Sequence, residues 1–351
     1  MGFKKYMKIL WLTIDRSKRA TQHFDAFRNE VKKIADVTDF VRSTSPYCAG
    51  EYSRNAMYNG IEEEKILDKF DINSFDFIFT DALFAFLKED WINCGVPKGF
   101  LIEDIHEDIP AFQINFAKEN NFEYLFHRYN FGFFKMHKSV LKDFACILLP
   151  HCIDTKLFKS YKTEKINKIL FTGTNHIGIY PYRNKIFDAL RGKDDFVYFH
   201  REVDQADKLT GGKIREDYAM LLSSYKASFT GGSKFNLPVL KYFEVPACNS
   251  LLVSNWFSDL GVLGFIPNKN MIVLEDDIEK QADEILKNSY FDIIKAGKEL
   301  VEKYHTVSLR AKQFVNYINV ILKKEAPFDV EDIINPRIIK IKPERMLTHE
   351  S

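Results

Sequence analysis

Residues 168–185, with the sequence KILFTGTNHIGIYPYRNK, decide the fold class of the second half of this chain. The apolar residues 169–171 indicate a buried strand, and this strand runs directly into Gly173. A polar loop follows the glycine, and a helix follows the loop. This order of strand, glycine-containing loop and helix is typical of one unit of a parallel α/β sheet.

The same pattern recurs on both sides of this stretch. Residues 9–14 read ILWLTI, and residues 24–34 then place apolar side chains at helical spacing. Further predicted strands are residues 37–41, 77–79, 100–102 and 147–149 in the first half, and 196–199, 227–230, 250–253 and 271–274 in the second. Strands that are apolar on both faces and alternate with helices predict parallel sheets covered on both sides. We therefore expect an α/β protein with two Rossmann-like domains that face each other across a cleft.

The length of the chain, 351 residues, also suits two domains of ordinary size. The sequence pattern changes at residues 149–158, LPHCIDTKLF, which are followed by a charged segment. We expect an N-terminal domain at residues 1–155, a C-terminal domain at residues 156–325, and an arm or tail at residues 326–351.

The composition is that of an ordinary globular protein. Fifty basic and 49 acidic residues give a formal net charge of +1, so there is no strong signal for nucleic acid. The five cysteines are scattered without a CxxC pair, which argues against a disulfide framework and a structural zinc site. No segment reaches the roughly 18 apolar residues that span a membrane. These features favour a cytoplasmic protein and leave open attachment to a membrane surface and the oligomeric state.

Three loops lie where ligands bind in open α/β sheets, beyond the carboxyl ends of strands. In the first loop, Gly173 and Thr174 permit close approach of a ligand to the backbone, and the following helix offers its amino end to an anion. Tyr182, Arg183 and Lys185 lie at that end. The two basic residues are candidates to neutralise a leaving diphosphate. The alternative is an ordinary loop with solvated charges.

The second loop, residues 230–240, reads TGGSKFNLPVL and leads into a short helix. Ser233 and Asn236 of the loop are candidates for ligand contacts. Lys241 and Glu244 of the helix are three residues apart and therefore share one face. A carboxylate at Glu244 is able to accept hydrogen bonds from two ribose hydroxyls, and Lys241 is a candidate catalytic cation. The alternative is an exposed helical ion pair between these two residues.

The third loop, residues 103–108 with the sequence EDIHED, follows a strand of the N-terminal half. Closure of the two domains would bring Asp104 or His106 to a substrate hydroxyl, so both are candidate catalytic residues. The alternative is a solvated acidic turn. His127 and Arg128 are weaker candidates for contacts to an acceptor or a phosphate.

Four motifs, in order along the chain, resemble those of CgeB-like proteins within the wider glycosyltransferase group 1, or GT4-like, family. They are residues 149–158 (LPHCIDTKLF), residues 171–183 (FTG, then YPYR), residues 243–252 (FEVPACNSLL) and residues 304–310 (YHTVSLR). The resemblance covers about residues 145–320. It implies a GT-B fold with a nucleotide-sugar donor on the C-terminal domain, an acceptor on the N-terminal domain, and no essential metal ion or other cofactor.

The resemblance also implies roles for individual residues. GT4-like sequences carry two glutamates eight positions apart, of which the second contacts the donor ribose and the first contacts the donor sugar. Glu244 matches the second position, whereas Asn236 stands at the first. GT4-like enzymes also often carry a histidine in a place comparable to that of His106. The resemblance favours transfer with retention of configuration, although Asn236 leaves the donor sugar and the stereochemistry open.

The sequence leaves other functions open. A GT-B-like coat or scaffold protein would keep the fold without catalysis, and a sugar-nucleotide epimerase would keep the donor site and lose the acceptor site. A transferase for modified nucleic acid would need a basic stripe interleaved with aromatic residues, and the sequence has no concentrated stripe of that kind. The acceptor of a transferase, whether glycan, cell-surface polymer, protein or modified nucleic acid, is not specified.

Overall fold

The computed structural model describes residues 7–14, 23–42, 71–82, 89–103, 109–130, 133, 140, 142–161, 164–175, 178–199 and 213–325. These parts of the chain form two β-sheets in which every strand pair is parallel. The predicted α/β architecture with parallel sheets is therefore confirmed. Among the described residues, no helix is long and apolar enough to cross a membrane.

The first sheet has six strands in the order β2-β1-β3-β4-β5-β6. The strands are β1 (Lys8–Ile14), β2 (Asp36–Arg42), β3 (Phe77–Thr80), β4 (Lys98–Ile102), β5 (Tyr124–His127) and β6 (Ala145–Leu148). The helices between them are α1 (His23–Lys32), α2 (Glu89–Ile92) and α3 (Ile109–Glu119), with a 3-10 turn at Ile72–Ser74.

Both faces of this sheet are buried because successive side chains of each strand point to opposite sides. In β1, Leu10 and Leu12 pack into the core on one face. Ile9 and Trp11 pack into the core on the other. This arrangement explains why the strand reads as a continuous apolar run rather than as an alternation.

The second sheet has five strands in the order β11-β10-β9-β7-β8. The strands are β7 (Ile166–Thr172), β8 (Phe196–Phe199), β9 (Tyr225–Phe229), β10 (Leu251–Ser254) and β11 (Ile272–Val273). The helices are α4 (Pro181–Leu190), α5 (Lys213–Ser224), α6 (Lys241–Ala247), α7 (Ser258–Val262), α8 (Ile278–Lys287), α9 (Phe291–Tyr304) and α10 (Val307–Ile321).

The last helix, α10, packs on the first sheet although it follows the second sheet in sequence. The Phe314 ring lies 4.7 Å from the Phe79 ring and 5.4 Å from the Trp11 ring, centroid to centroid. The chain thus crosses between the sheets twice, and the two crossings lie side by side. The Ile153 amide donates to the His305 carbonyl at 2.8 Å, and the Val307 amide donates to the Ile153 carbonyl at 3.0 Å.

Candidate functional site

The end of β7 is the centre of the candidate site. Gly173 follows this strand with a φ of +96°, a left-handed conformation that favours glycine. A Cβ atom at this position would lie 2.9 Å from Lys241 Nζ and 3.5 Å from Arg183 Nη1. The two cations predicted from separate loops therefore converge on Gly173, and a side chain at this position would crowd Lys241.

Arg183 is fixed by the two loops that flank it. It is the third residue of α4 and only 4% exposed. Its Nε donates to the Gly231 carbonyl at 2.9 Å and its Nη1 to the Thr174 carbonyl at 3.2 Å, and its guanidinium lies 3.7 Å from the centre of the Tyr180 ring. Burial lowers the pKa of Arg183 from its ordinary value, with the nearby Tyr180 opposing the shift. Because the ordinary pKa of a guanidinium is above 12, Arg183 remains a cation near pH 7 despite this lowering.

The glycine pair of the second loop brings that loop against α4. A Cβ at Gly231 would lie 2.7 Å from Tyr182 Cβ, so the two elements touch through backbone and methylene atoms. The Gly232 amide donates to Asn255 Oδ1 at 2.9 Å. Tyr242 donates its hydroxyl to the same oxygen at 3.2 Å, and Asn255 follows the end of β10. The sequence reasoning missed Asn255, whose position two residues after a predicted strand was the available signal.

Glu244 lies on α6, three residues after Lys241. It is 9% exposed, which rules out an exposed ion pair with Lys241 on a solvated helix face. Its Oε2 lies 3.5 Å from the hydroxyl of Tyr218, a residue of α5 that the sequence reasoning also missed. The Tyr218 hydroxyl in turn lies 3.1 Å from Thr172 Oγ1, directly before Gly173. The carboxylate is therefore connected to the same strand end as the cations.

Three other predicted residues belong to the same two loops and the helix that follows the first of them. Lys185 is exposed, with its Nζ 5.9 Å from the centre of the Tyr182 ring. Residues two apart on a helix point in opposite directions, so Lys185 does not share the face of Arg183. Ser233 is buried and its hydroxyl accepts from the Phe235 amide at 3.3 Å, whereas Asn236 is exposed.

In the N-terminal half, Asp104 and His106 lie outside the described residues. The preceding residue, Glu103, accepts an ion-pair hydrogen bond from Arg128 Nε at 2.7 Å. Arg128 is 2% exposed and also donates to the carbonyls of Leu149 and Pro150, at 3.1 and 3.3 Å. These contacts connect the end of β5 to the segment where the chain leaves the first sheet.

His127 is likewise part of the interior rather than of a surface. Its ring is buried and stacks on Phe133 with a centroid distance of 4.4 Å. Burial lowers the pKa of His127 to about 4, with a hydrogen bond to the Tyr129 carbonyl opposing the shift. The imidazole is therefore neutral near pH 7.

The closing motif, residues 304–310, lies at the crossings between the sheets. The Nε2–H of His305 donates to the Leu263 carbonyl at 2.8 Å, and its Nδ1 accepts from Arg310 Nη2 at 3.2 Å. Burial, with the Arg310 charge as the second cause, lowers the pKa of His305 to about 3. This motif therefore holds the crossing together, and its described contacts are to backbone and neighbouring core residues.

The arrangement at the end of β7 has a clear chemical capacity. The Arg183 and Lys241 cations lie next to Gly173. The Glu244 carboxylate is connected to the same strand end through Tyr218. Cations in such a place bind phosphate oxygens, and a buried carboxylate accepts hydrogen bonds from hydroxyl groups.

Several solved structures share the whole architecture. Sucrose-phosphate synthase from Thermosynechococcus elongatus is similar with a TM-score of 0.62 and 12% sequence identity, over 90% of this chain and 99% of that one. AviGT4, a glycosyltransferase involved in avilamycin A biosynthesis, has a TM-score of 0.55 and 12% identity, over 90% and 98%. HepE from Anabaena in complex with UDP-glucose has a TM-score of 0.54 and 10% identity, over 91% and 100%.

These matches and the two parallel sheets establish that the chain has a GT-B fold, as the sequence predicted. No protein-family model matches the sequence, and no curated protein matches it either.

Proposed function

We propose that this protein is a glycosyltransferase that moves a sugar from a nucleotide-sugar donor to an acceptor hydroxyl. The observation that carries the proposal is the convergence of Arg183 and Lys241 on Gly173, with Glu244 buried at the same strand end. The cations suit the diphosphate of the donor, and the carboxylate suits the hydroxyls of its ribose. Other proposed donor contacts are Thr174, Tyr182, Lys185, Ser233 and Asn236.

The whole-chain likeness to glycosyltransferase structures supports the proposal. HepE is in complex with UDP-glucose, so a UDP-sugar is the first donor to test. We also propose, from the sequence, that the protein belongs to the CgeB-like group and is located in the cytoplasm.

The proposed reaction breaks the bond between the anomeric carbon and the diphosphate, and the acceptor oxygen forms a bond to that carbon. With retention of configuration, the leaving phosphate takes the proton of the acceptor hydroxyl. Arg183 and Lys241 then stabilise the negative charge that develops on the phosphate, which is the part a metal ion plays in other transferases. Asp104 and His106 are proposed to contact the sugar or the acceptor hydroxyl.

The first test is nucleotide binding, measured by thermal shift with UDP, GDP, ADP, dTDP and CMP and then by calorimetry with the best of them. A ligand at 100 times its dissociation constant stabilises the folded protein by about 2.7 kcal/mol. We expect Arg183→Ala and Glu244→Gln each to weaken binding about tenfold to a hundredfold, since each removes hydrogen bonds to a charged group.

The matched controls are Arg191→Ala and Glu299→Gln. Arg191 ends the same helix as Arg183 but is 65% exposed at its side chain. Glu299 forms an exposed ion pair with Lys295 one helical turn away. Unchanged affinity is expected in both. Absence of nucleotide binding in the wild-type protein, or equal binding in the Arg183 and Glu244 variants, would contradict the proposed site.

A second test separates transfer from the other functions of this fold. Incubation with a UDP-sugar and candidate acceptors should release UDP and lengthen one acceptor by one sugar. Conversion of the donor sugar without an acceptor would instead indicate an epimerase, and binding without any turnover would indicate a scaffold protein.

A further inference from the structure

Tyr218 connects three elements of the proposed donor site. It lies on α5, whereas Thr172 ends β7 and Glu244 lies on α6. Its hydroxyl is 3.1 Å from Thr172 Oγ1 and 3.5 Å from Glu244 Oε2.

The direction of the hydrogen bonds that join Thr172, Tyr218 and Glu244 follows from the chemistry of the three side chains. An ionised carboxylate only accepts, so the Tyr218 hydroxyl donates to Glu244. Because the Tyr218 hydroxyl has only one proton and donates it to Glu244, the Thr172 hydroxyl must donate to the Tyr218 oxygen. Burial, and next the charge of Glu244, raise the pKa of Tyr218 well above 10, so the hydroxyl remains protonated.

Thr172 attaches these hydrogen bonds to the second sheet. Its strand, β7, lies between β8 and β9, and Thr172 itself is the register partner of Phe199. The Thr172 side chain is buried. The distance of 3.5 Å between the Tyr218 hydroxyl and Glu244 Oε2 is long for a hydrogen bond to a carboxylate. Long hydrogen bonds of this kind often shorten when a substrate binds. The strand end thus provides a fixed point from which Tyr218 orients the carboxylate.

We propose that Tyr218, supported by Thr172, is a positioning residue that orients the Glu244 carboxylate toward the 2′ and 3′ hydroxyls of the donor ribose. This inference rests on the proposed function. It adds that recognition of the ribose depends on a side chain from α5 that has no direct contact with the nucleotide.

The test is the ratio of affinities for a nucleoside diphosphate and its 2′,3′-dideoxy analogue, measured by calorimetry. The probes are UDP, GDP and ADP with their dideoxy counterparts. We expect the wild-type protein to prefer the ribose form, and Tyr218→Phe to reduce that preference about fivefold to tenfold while affinity for the dideoxy form stays the same. A general loss of stability would weaken both affinities together and leave the ratio unchanged.

Three further variants complete the experiment. Thr172→Val should reduce the preference as Tyr218→Phe does, whereas Thr172→Ser keeps the hydroxyl and should restore it. Tyr161→Phe is the control, because its hydroxyl donates to the Leu157 carbonyl at 2.7 Å instead. If the wild-type protein binds none of these six nucleotides, and neither dTDP nor CMP, the proposed function is wrong. If it discriminates and Tyr218→Phe discriminates equally well, the role of Tyr218 is wrong while the proposed function stands.

Discussion

Gly173 shows how a single residue determines the geometry of the candidate site. The sequence analysis predicted that Gly173 lets a ligand approach the backbone, and the structure shows that this residue has a φ of +96°, a conformation that favours glycine. The structure adds a second requirement, because Lys241 Nζ occupies the space next to the Cα atom. The residue is therefore constrained both by its own backbone and by the side chain that it accommodates.

These two constraints are separable by mutation. We expect Gly173→Ala to lower the free energy of unfolding by about 1–2 kcal/mol because alanine is strained at positive φ. It should also weaken UDP binding about tenfold, since its Cβ displaces Lys241. Urea denaturation and calorimetry measure the two effects.

Gly192→Ala is the matched control for this prediction. Gly192 has a φ of +89°, and nothing lies within 4 Å of the place of its Cβ. It should lose a similar free energy of unfolding and bind UDP as the wild-type protein does. Equal loss of binding in both variants would show that backbone strain, and not the position of Lys241, controls affinity.

At the scale of elements, the turn between β9 and α6 explains an unexpected residue. Asn236 stands where GT4-like sequences carry a glutamate, and its φ is +57°. Its amide donates to the Ser233 carbonyl at 2.9 Å, and the Lys234 amide donates to the Ile179 carbonyl at 2.7 Å. The turn is thus closed on itself and attached to the first loop. Asparagine adopts this left-handed conformation far more readily than glutamate does.

We expect Asn236→Glu to lower the free energy of unfolding by about 1 kcal/mol, because a longer side chain is strained at this φ. Asn236→Gly should change it by less than about 0.5 kcal/mol. Urea denaturation of the two variants checks this. A glutamate variant as stable as the wild-type protein would mean that the turn adapts and that its conformation does not select asparagine.

At the scale of the whole molecule, α10 joins the end of the described chain to its beginning. Phe314 is completely buried, and its ring lies among those of Trp11, Phe27, Phe79 and Phe126 at 4.7 to 5.6 Å. The first sheet therefore depends for its core on a helix that follows the second sheet. We therefore expect the stability of the first sheet to depend on residues 307–321.

We expect Phe314→Ala to lower the free energy of unfolding by about 3–5 kcal/mol, the usual cost of removing a buried aromatic ring. Val320→Ala on the same helix should change it by no more than about 0.5 kcal/mol, because Val320 is 50% exposed. Chemical denaturation measures both. A small effect at Phe314 would show that α10 contributes little to the core of the first sheet.

The buried histidine at the crossings makes the stability of the molecule depend on pH. The pKa of His305 is lowered to about 3 in the folded protein. An unfolded histidine accepts a proton near pH 6.5, so below that pH the unfolded state binds one proton more than the folded state. We expect the free energy of unfolding to fall by about 1.4 kcal/mol per pH unit for this residue as the pH drops from about 6.5 toward 4.

His305→Gln tests this expectation, because glutamine keeps a donor for Leu263 and an acceptor for Arg310 without titrating. Urea denaturation between pH 7.5 and 4.5 should give a shallower loss of stability in the variant than in the wild-type protein. Parallel pH profiles would mean that His305 does not contribute to the acid sensitivity.

The sequence predicted the order of most elements because apolar runs and their lengths are local properties. The predicted strand at residues 196–199 has the bounds that the structure gives. Strand β5 was missed, since it ends in His127, whose burial depends on Phe133 and not on its own neighbours in sequence.

By itself, then, the sequence determined the parallel α/β class, the loops that follow the strands, and the candidates Gly173, Arg183, Lys241 and Glu244. Only the tertiary structure decided that the two cations meet at Gly173, that Tyr218 lies between Thr172 and Glu244, and that α10 packs on the first sheet. The physical reason is that hydrophobic periodicity specifies which face of an element is buried, whereas the partner that buries it is chosen by packing between distant parts of the chain.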